Sequence, residues 1–174
     1  MICHRPLAAL GALAASVATL FVTEAAHAGP TIGGDLDLAF PIDSRGGTGG
    51  GFGVRLGDEL HVPLVALTPE LGFTYHNLSG DSGPSIYRGI AGLRLGLGEI
   101  VRPGAFAHIG YGHFVPMYGP NKDAFTWDVG GFLDVTVIPL LNVGVHVAYN
   151  QIDADYTKGS YSFLTLGLDA ALVF

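Results

Sequence analysis

The chain has 174 residues, 49% of them hydrophobic but only 13% charged, where an ordinary soluble domain carries about 25% charged residues. Its formal charge of −7, with no basic stripe, excludes a phosphate-binding face for nucleic acid. Past the N-terminal stretch no run of about 18 apolar residues occurs, which excludes a membrane-spanning helix. A closed β-barrel is then the remaining way for so apolar a chain to cross lipid, because every backbone polar group must be paired internally.

Residues 1–28 read as a secretory signal peptide: His4 and Arg5, an uncharged Ala-rich stretch over 7–22, and an Ala26-His27-Ala28 cleavage motif. The mature chain is expected to begin at Gly29 and to form one domain over 29–174. Cys3, the chain's one cysteine, leaves with the signal, so neither a disulfide nor a thiolate mechanism is available.

About eight segments of alternating character follow, each predicting a strand with one apolar and one polar face. The first, 31–40, sets Ile32, Leu36, Leu38 and Phe40 against Thr31, Asp35 and Asp37. The second, 51–58, sets Phe52, Val54 and Leu56 against Gly53 and Arg55; the third, 67–76, sets Leu67, Leu71, Phe73 and Tyr75 against Thr68, Glu70, Thr74 and His76. In the fourth, 85–97, Tyr87, Ala91, Leu93, Leu95 and Leu97 oppose Arg88 and Arg94; in the fifth, 105–113, Ala107, Ile109 and Tyr111 oppose His108 and glycines. The sixth, 124–137, places Phe125, Trp127, Val129, Leu133, Val135 and Val137 opposite Thr126, Asp128, Asp134 and Thr136. The seventh, 143–150, places Val143, Val145, Val147 and Tyr149 opposite His146 and Asn150. The last, 162–174, carries Leu164, Leu166, Leu168, Leu172 and the terminal Phe174 on one face and Asp169 on the other.

Connections alternate too. Those at 43–50, 77–84, 115–122 and 153–160 are rich in Gly, Pro, Asn, Asp and Ser, while 57–63, 98–104 and 138–142 are tighter. Four polar loops and three shorter turns are the pattern of an up-and-down antiparallel barrel with its loops at one rim. At the loop-side end of the apolar face lie Phe40, Phe52, Tyr75, Tyr87, Tyr111, Trp127 and Tyr149, with Phe125 nearby. Rings at a common height suit the membrane–water boundary and predict an outer aromatic girdle.

The inward set is Asp35, Asp37, Arg55, Glu70, Arg88, Arg94, His108, Asp128, Asp134, His146 and Asp169. An eight-strand barrel is just wide enough for side chains to fill, and buried charges must be paired. A lumen closed by ion pairs is therefore expected, with an excess of acid met by water, backbone donors, a cation or protonation. His108 and His146 with Glu70, Asp128, Asp134 and Asp169 offer a metal or proton-relay set in kind but not in spacing, so no metal or cofactor is assigned. The Gly46-Gly47-Thr48-Gly49-Gly50-Gly51 cluster lacks the Lys-Ser/Thr of a phosphate loop, and Gly80-Asp81-Ser82-Gly83-Pro84 is only superficially protease-like in a chain too short for the double barrel that positions a trypsin-like triad.

A signal, about eight amphipathic strands, no mature cysteine and a terminal Phe174 after alternating leucines resemble the OmpA/OmpX-like small outer-membrane β-barrels over essentially all of 29–174. The resemblance implies Sec-type export, chaperone help in the periplasm, and insertion into the outer membrane of a Gram-negative bacterium amid lipid and lipopolysaccharide. It also implies that Leu164, Leu166, Leu168, Leu172 and Phe174 form the signal read by the barrel assembly machinery. One function is not implied, because fold does not fix function. The expectation is a non-enzymatic structural or interaction role through four outer loops. The alternatives are a narrow conduit for small or hydrophobic solutes, a soluble lipid-binding barrel, and a lipid A-modifying enzyme. For that enzyme, His76 and Ser79 stand three apart, without the close His-x-Ser pattern of the deacylases.

Overall fold

The computed structural model describes residues 27–42, 47–62, 64–78, 84–116, 120–153 and 160–174. Of the expected signal peptide over 1–28, residues 1–26 lie outside them, while the backbones of His27 and Ala28 belong to the first strand. Eight strands run in sequence: β1 His27–Pro41, β2 Gly49–Val62, β3 Val65–Asn77, β4 Ser85–Leu97, β5 Val101–Val115, β6 Lys122–Ile138, β7 Leu141–Asp153 and β8 Tyr161–Val173. Each pairs antiparallel with its neighbours, and β8 returns to β1 to close an all-β barrel in the order of the sequence.

The register fixes the stagger. Following directly paired residues from Thr31 leads through Gly57, Glu70, Gly92, His108, Asp128, Asn150 and Phe163 to Pro41, ten residues further along β1. Ten residues of stagger over eight strands correspond to a strand tilt of roughly 40°. That tilt widens the lumen enough for long side chains.

Period-two alternation places side chains on two opposite surfaces. Leu36, Leu168 and Ile109 are 68%, 63% and 61% exposed, while Asp169, Asp128 and Arg88 are 5%, 4% and 2% exposed, so apolar groups face out and charged groups face in. This inverts the arrangement of a soluble protein, in which Asp and Arg are almost never fully buried unless paired. Strand β8 follows the rule to its end, with Leu164, Leu166, Leu168 and Leu172 outward.

One rim carries the short links between β2 and β3, with Leu64 in a turn, between β4 and β5 at 98–100, and between β6 and β7 at 139–140; the other carries the connections 42–48, 78–84, 116–121 and 154–160. Several strands are longer than their alternation predicted. β2 runs on to Val62 and β5 starts at Val101, within stretches read as the tight links 57–63 and 98–104. The cause is electrostatic: Glu59 and Arg102 point inward from those extensions and bond each other, Arg102 Nη1 donating to both Glu59 oxygens at 3.0 Å. The turns also bond one another, as when the Gly98 N–H donates to the Leu64 carbonyl at 2.9 Å. Gly98 has φ +105°, a conformation that a side chain would strain.

Candidate functional site in the barrel lumen

The lumen is filled in three layers. Nearest the turns lie the Arg102–Glu59 pair and Thr136, whose hydroxyl donates to Asn142 Oδ1 at 2.8 Å. Above it lies a polar middle layer. Closest to the long connections is an apolar plug of Ala39, Leu78, Ile86, Ala124, Ile152, Tyr161 and Phe163, with Phe114 packed against it. Phe163, Leu78, Ile86 and Ile152 are fully buried there. Two small cavities of about 40 Å³ each, room for a few waters, flank Arg55.

The middle layer contains two chains of charged groups. In the first, Arg94 Nη2 donates to Asp134 at 2.9 and 3.0 Å and to Asp169 Oδ2 at 3.1 Å. Asp169 Oδ1 meets His146 Nδ1 at 3.3 Å. His146 Nε2 lies 2.9 Å from Asp37 Oδ1, close enough to pair charges but at an angle that leaves that oxygen without a hydrogen bond. Asp37 Oδ2 meets His76 Nε2 at 2.9 Å. Arg55 joins this chain from the side, 3.5 Å from Asp169 and 3.8 Å from Asp35.

The second chain is shorter. Glu70 Oε1 and Asp128 Oδ1 each lie 2.6 Å from a ring nitrogen of His108. Asp128 Oδ2 also accepts from Arg88 Nη1 at 3.4 Å, and Arg88 Nε donates to the Thr74 hydroxyl at 3.0 Å. Arg94 lies flat over the Phe132 ring, its guanidinium carbon 3.6 Å from the centroid, which accounts for an Nη1 that has no oxygen partner.

Every inward residue singled out from the sequence thus lies in the lumen. Arg94, Asp134, Asp169, His146 and Asp37 meet in one chain, and Glu70, His108, Asp128 and Arg88 in the other. Asp35 pairs with Arg55 at long range, 3.8 Å. Glu59, Arg102 and the apolar plug are additions that alternation missed. His76, set beside Ser79 in the enzyme alternative, turns inward onto Asp37; Ser79 lies outside the described residues.

The outer surface carries the rings. Phe52, Tyr75 and Tyr87 follow one another across β2, β3 and β4, with centroids 5.6 and 4.9 Å apart. Trp127 and Tyr149 meet at 5.5 Å on β6 and β7, and Phe40 and Tyr111 stand exposed on β1 and β5. Just beyond them, His113 Nδ1 and Asp123 Oδ1 pair at 2.6 Å on the exposed exterior of β5 and β6.

An apolar exterior, a ring-bearing rim and a lumen packed with paired charges define the class: a small transmembrane-type β-barrel. No known family matches the chain by sequence, and no curated protein does. Solved structures do. Neisserial surface protein A is 17% identical, with 83% of this chain covering 97% of that one at a TM-score of 0.63. Ail, the attachment invasion locus protein of Yersinia pestis, is 15% identical over 84% of this chain and 97% of its own, at 0.52. The outer membrane enzyme PagL is 16% identical over 79% and 98%, also at 0.52. The chain has the fold of the small outer-membrane barrels, a fold that carries both enzymes and proteins that are not.

Proposed function

We propose that this protein is a barrel of the Gram-negative outer membrane, exported by the Sec route with removal of residues 1–28 on translocation. In this reading it anchors the connections 42–48, 78–84, 116–121 and 154–160 at the cell surface for contact with other cells, host surfaces or envelope components. The observation that carries the reading is the inverted burial. A leucine-rich exterior has no place in water, and lipid satisfies it without cost to the paired lumen. The aromatic row then sits at the outer boundary beside lipopolysaccharide, and the short turns face the periplasm. Leu164, Leu166, Leu168, Leu172 and Phe174 would be read by the assembly machinery once chaperones deliver the chain.

The filled lumen and apolar plug favour an anchor over a conduit. His76 is enclosed in the lumen, with Nε2 on Asp37 and Nδ1 buried, so it presents no base to a serine at the surface, and we read the protein as non-enzymatic. Unchanged lipid A mass spectra on expression support this; a lost or added acyl chain contradicts it. The interaction role is tested by replacing 43–46 and 154–159 with Gly-Ser stretches in expressing cells. Adhesion to host cells or other bacteria should fall to the level of cells lacking the protein, with heat-modifiable gel mobility retained. Binding that is absent from the start, or unaffected by the replacement, contradicts the role.

A further inference from the structure

His108 is held as no neutral histidine can be held between two ionised carboxylates. Its Nδ1 lies 2.6 Å from Asp128 Oδ1 and its Nε2 lies 2.6 Å from Glu70 Oε1, with all three side chains buried. A neutral imidazole has one N–H and one lone pair. With both carboxylates ionised, one nitrogen's lone pair would press against an oxygen's, a repulsion that low dielectric magnifies. Two protons on the ring turn both contacts into charge-assisted hydrogen bonds of the short kind.

The surroundings ask for the same proton. Among the described lumen residues seven carboxylates, Asp35, Asp37, Glu59, Glu70, Asp128, Asp134 and Asp169, face four guanidiniums, Arg55, Arg88, Arg94 and Arg102. Around His108, β3 supplies Glu70 and β6 supplies Asp128, while β4 presents Gly92 against the ring. Across the adjoining cavity stand Arg55, Arg88, His146, Asp35 and Asp37. Arg88 is already bonded to Asp128, and Arg55 and Arg94, which also face Glu70, pair with Asp35, Asp134 and Asp169, so among the described residues no guanidinium is hydrogen-bonded between Glu70 and Asp128.

We propose that His108 is a doubly protonated cation clasped between Glu70 and Asp128, and that it makes the barrel a pH-sensitive lock which loosens as the medium turns alkaline. The folded barrel then holds a proton that the unfolded chain gives up above the ordinary histidine range. Stability is complete below that range and declines as pH rises beyond it. His146, between Asp37 and Asp169, adds a weaker version of the same dependence.

The test is nitrogen-15 NMR of the histidine rings in the detergent-folded full barrel. At about pH 7.5, a unit above the ordinary histidine value, His108 should carry protons on both ring nitrogens. Glu70→Gln removes one of the acids, since its amide can donate to Nε2; there the ring should become neutral at the same pH. The urea midpoint of the wild type should fall between about pH 7 and pH 9, with a shallower fall in E70Q. A neutral ring in the wild type overturns the proposal whether or not E70Q folds. So does a ring that stays doubly protonated in E70Q.

Discussion

Phe106 on β5 and Phe132 on β6 stack 6.5 Å apart, and each ring lies over the glycine of the other's strand, Phe106 on Gly130 and Phe132 on Gly104. A Cβ at either glycine would collide with the end of the ring. Gly130→Val and Gly104→Val should therefore cost about 1–3 kcal/mol or more through overpacking. Gly89→Ala, where a Cβ meets nothing, should cost almost nothing. Urea unfolding of the three variants in micelles checks the contrast; equal midpoints would mean that the lumen is not tightly filled.

Arg94 ties three strands together through Asp134 and Asp169. Removing one partner of a buried pair leaves the other uncompensated, so Arg94→Met should cost about 3–5 kcal/mol. Arg94→Met with Asp134→Leu should cost clearly less than the sum of the two single changes, because the stranded carboxylate is gone. A double-mutant cycle on equilibrium unfolding measures this coupling, and strict additivity would argue against the pair.

Leu166 lies outward in the middle of β8, between Leu38 and Val147. Leu166→Arg should cost about 2–4 kcal/mol in a bilayer, the penalty of a cation near the midplane. In a water-soluble barrel the same change would relieve an exposed leucine and be neutral or favourable. Folding titrations in vesicles give the sign.

Among the described residues the plug and the two charge chains pack the lumen around two cavities of about 40 Å³ each, so the protein purified in planar bilayers should show no sustained single-channel conductance. Steady openings of the wild type would sink the filled-lumen account.

Much of this was legible in the sequence, for a physical reason: alternation reports directly which residues face lipid. The fourth segment, 85–97, coincides with β4, and the inward charges from Asp35 to Asp169 followed from parity alone. Alternation fails where both faces want the same chemistry. Toward the long connections Ile86, Ile152 and Phe163 are apolar although they point inward, so the plug was invisible. At the turn rim Gly57 and Pro63 suggested an early turn, hiding the inward Glu59 of β2. Its partner Arg102, 43 residues away, can only be seen once the barrel is closed.

The most direct measurement concerns which rim faces the outside. Asn121, exposed beside β6, and Glu99, exposed in the β4–β5 turn, stand at opposite ends of the barrel. With Cys3 replaced by serine, Asn121→Cys and Glu99→Cys give single thiols for a membrane-impermeant maleimide. In intact cells the Asn121→Cys barrel should be labelled and the Glu99→Cys barrel should react only after the outer membrane is permeabilised. Equal labelling of both, or recovery of the protein in the soluble fraction, would contradict an outer-membrane barrel that presents its long connections to the surface.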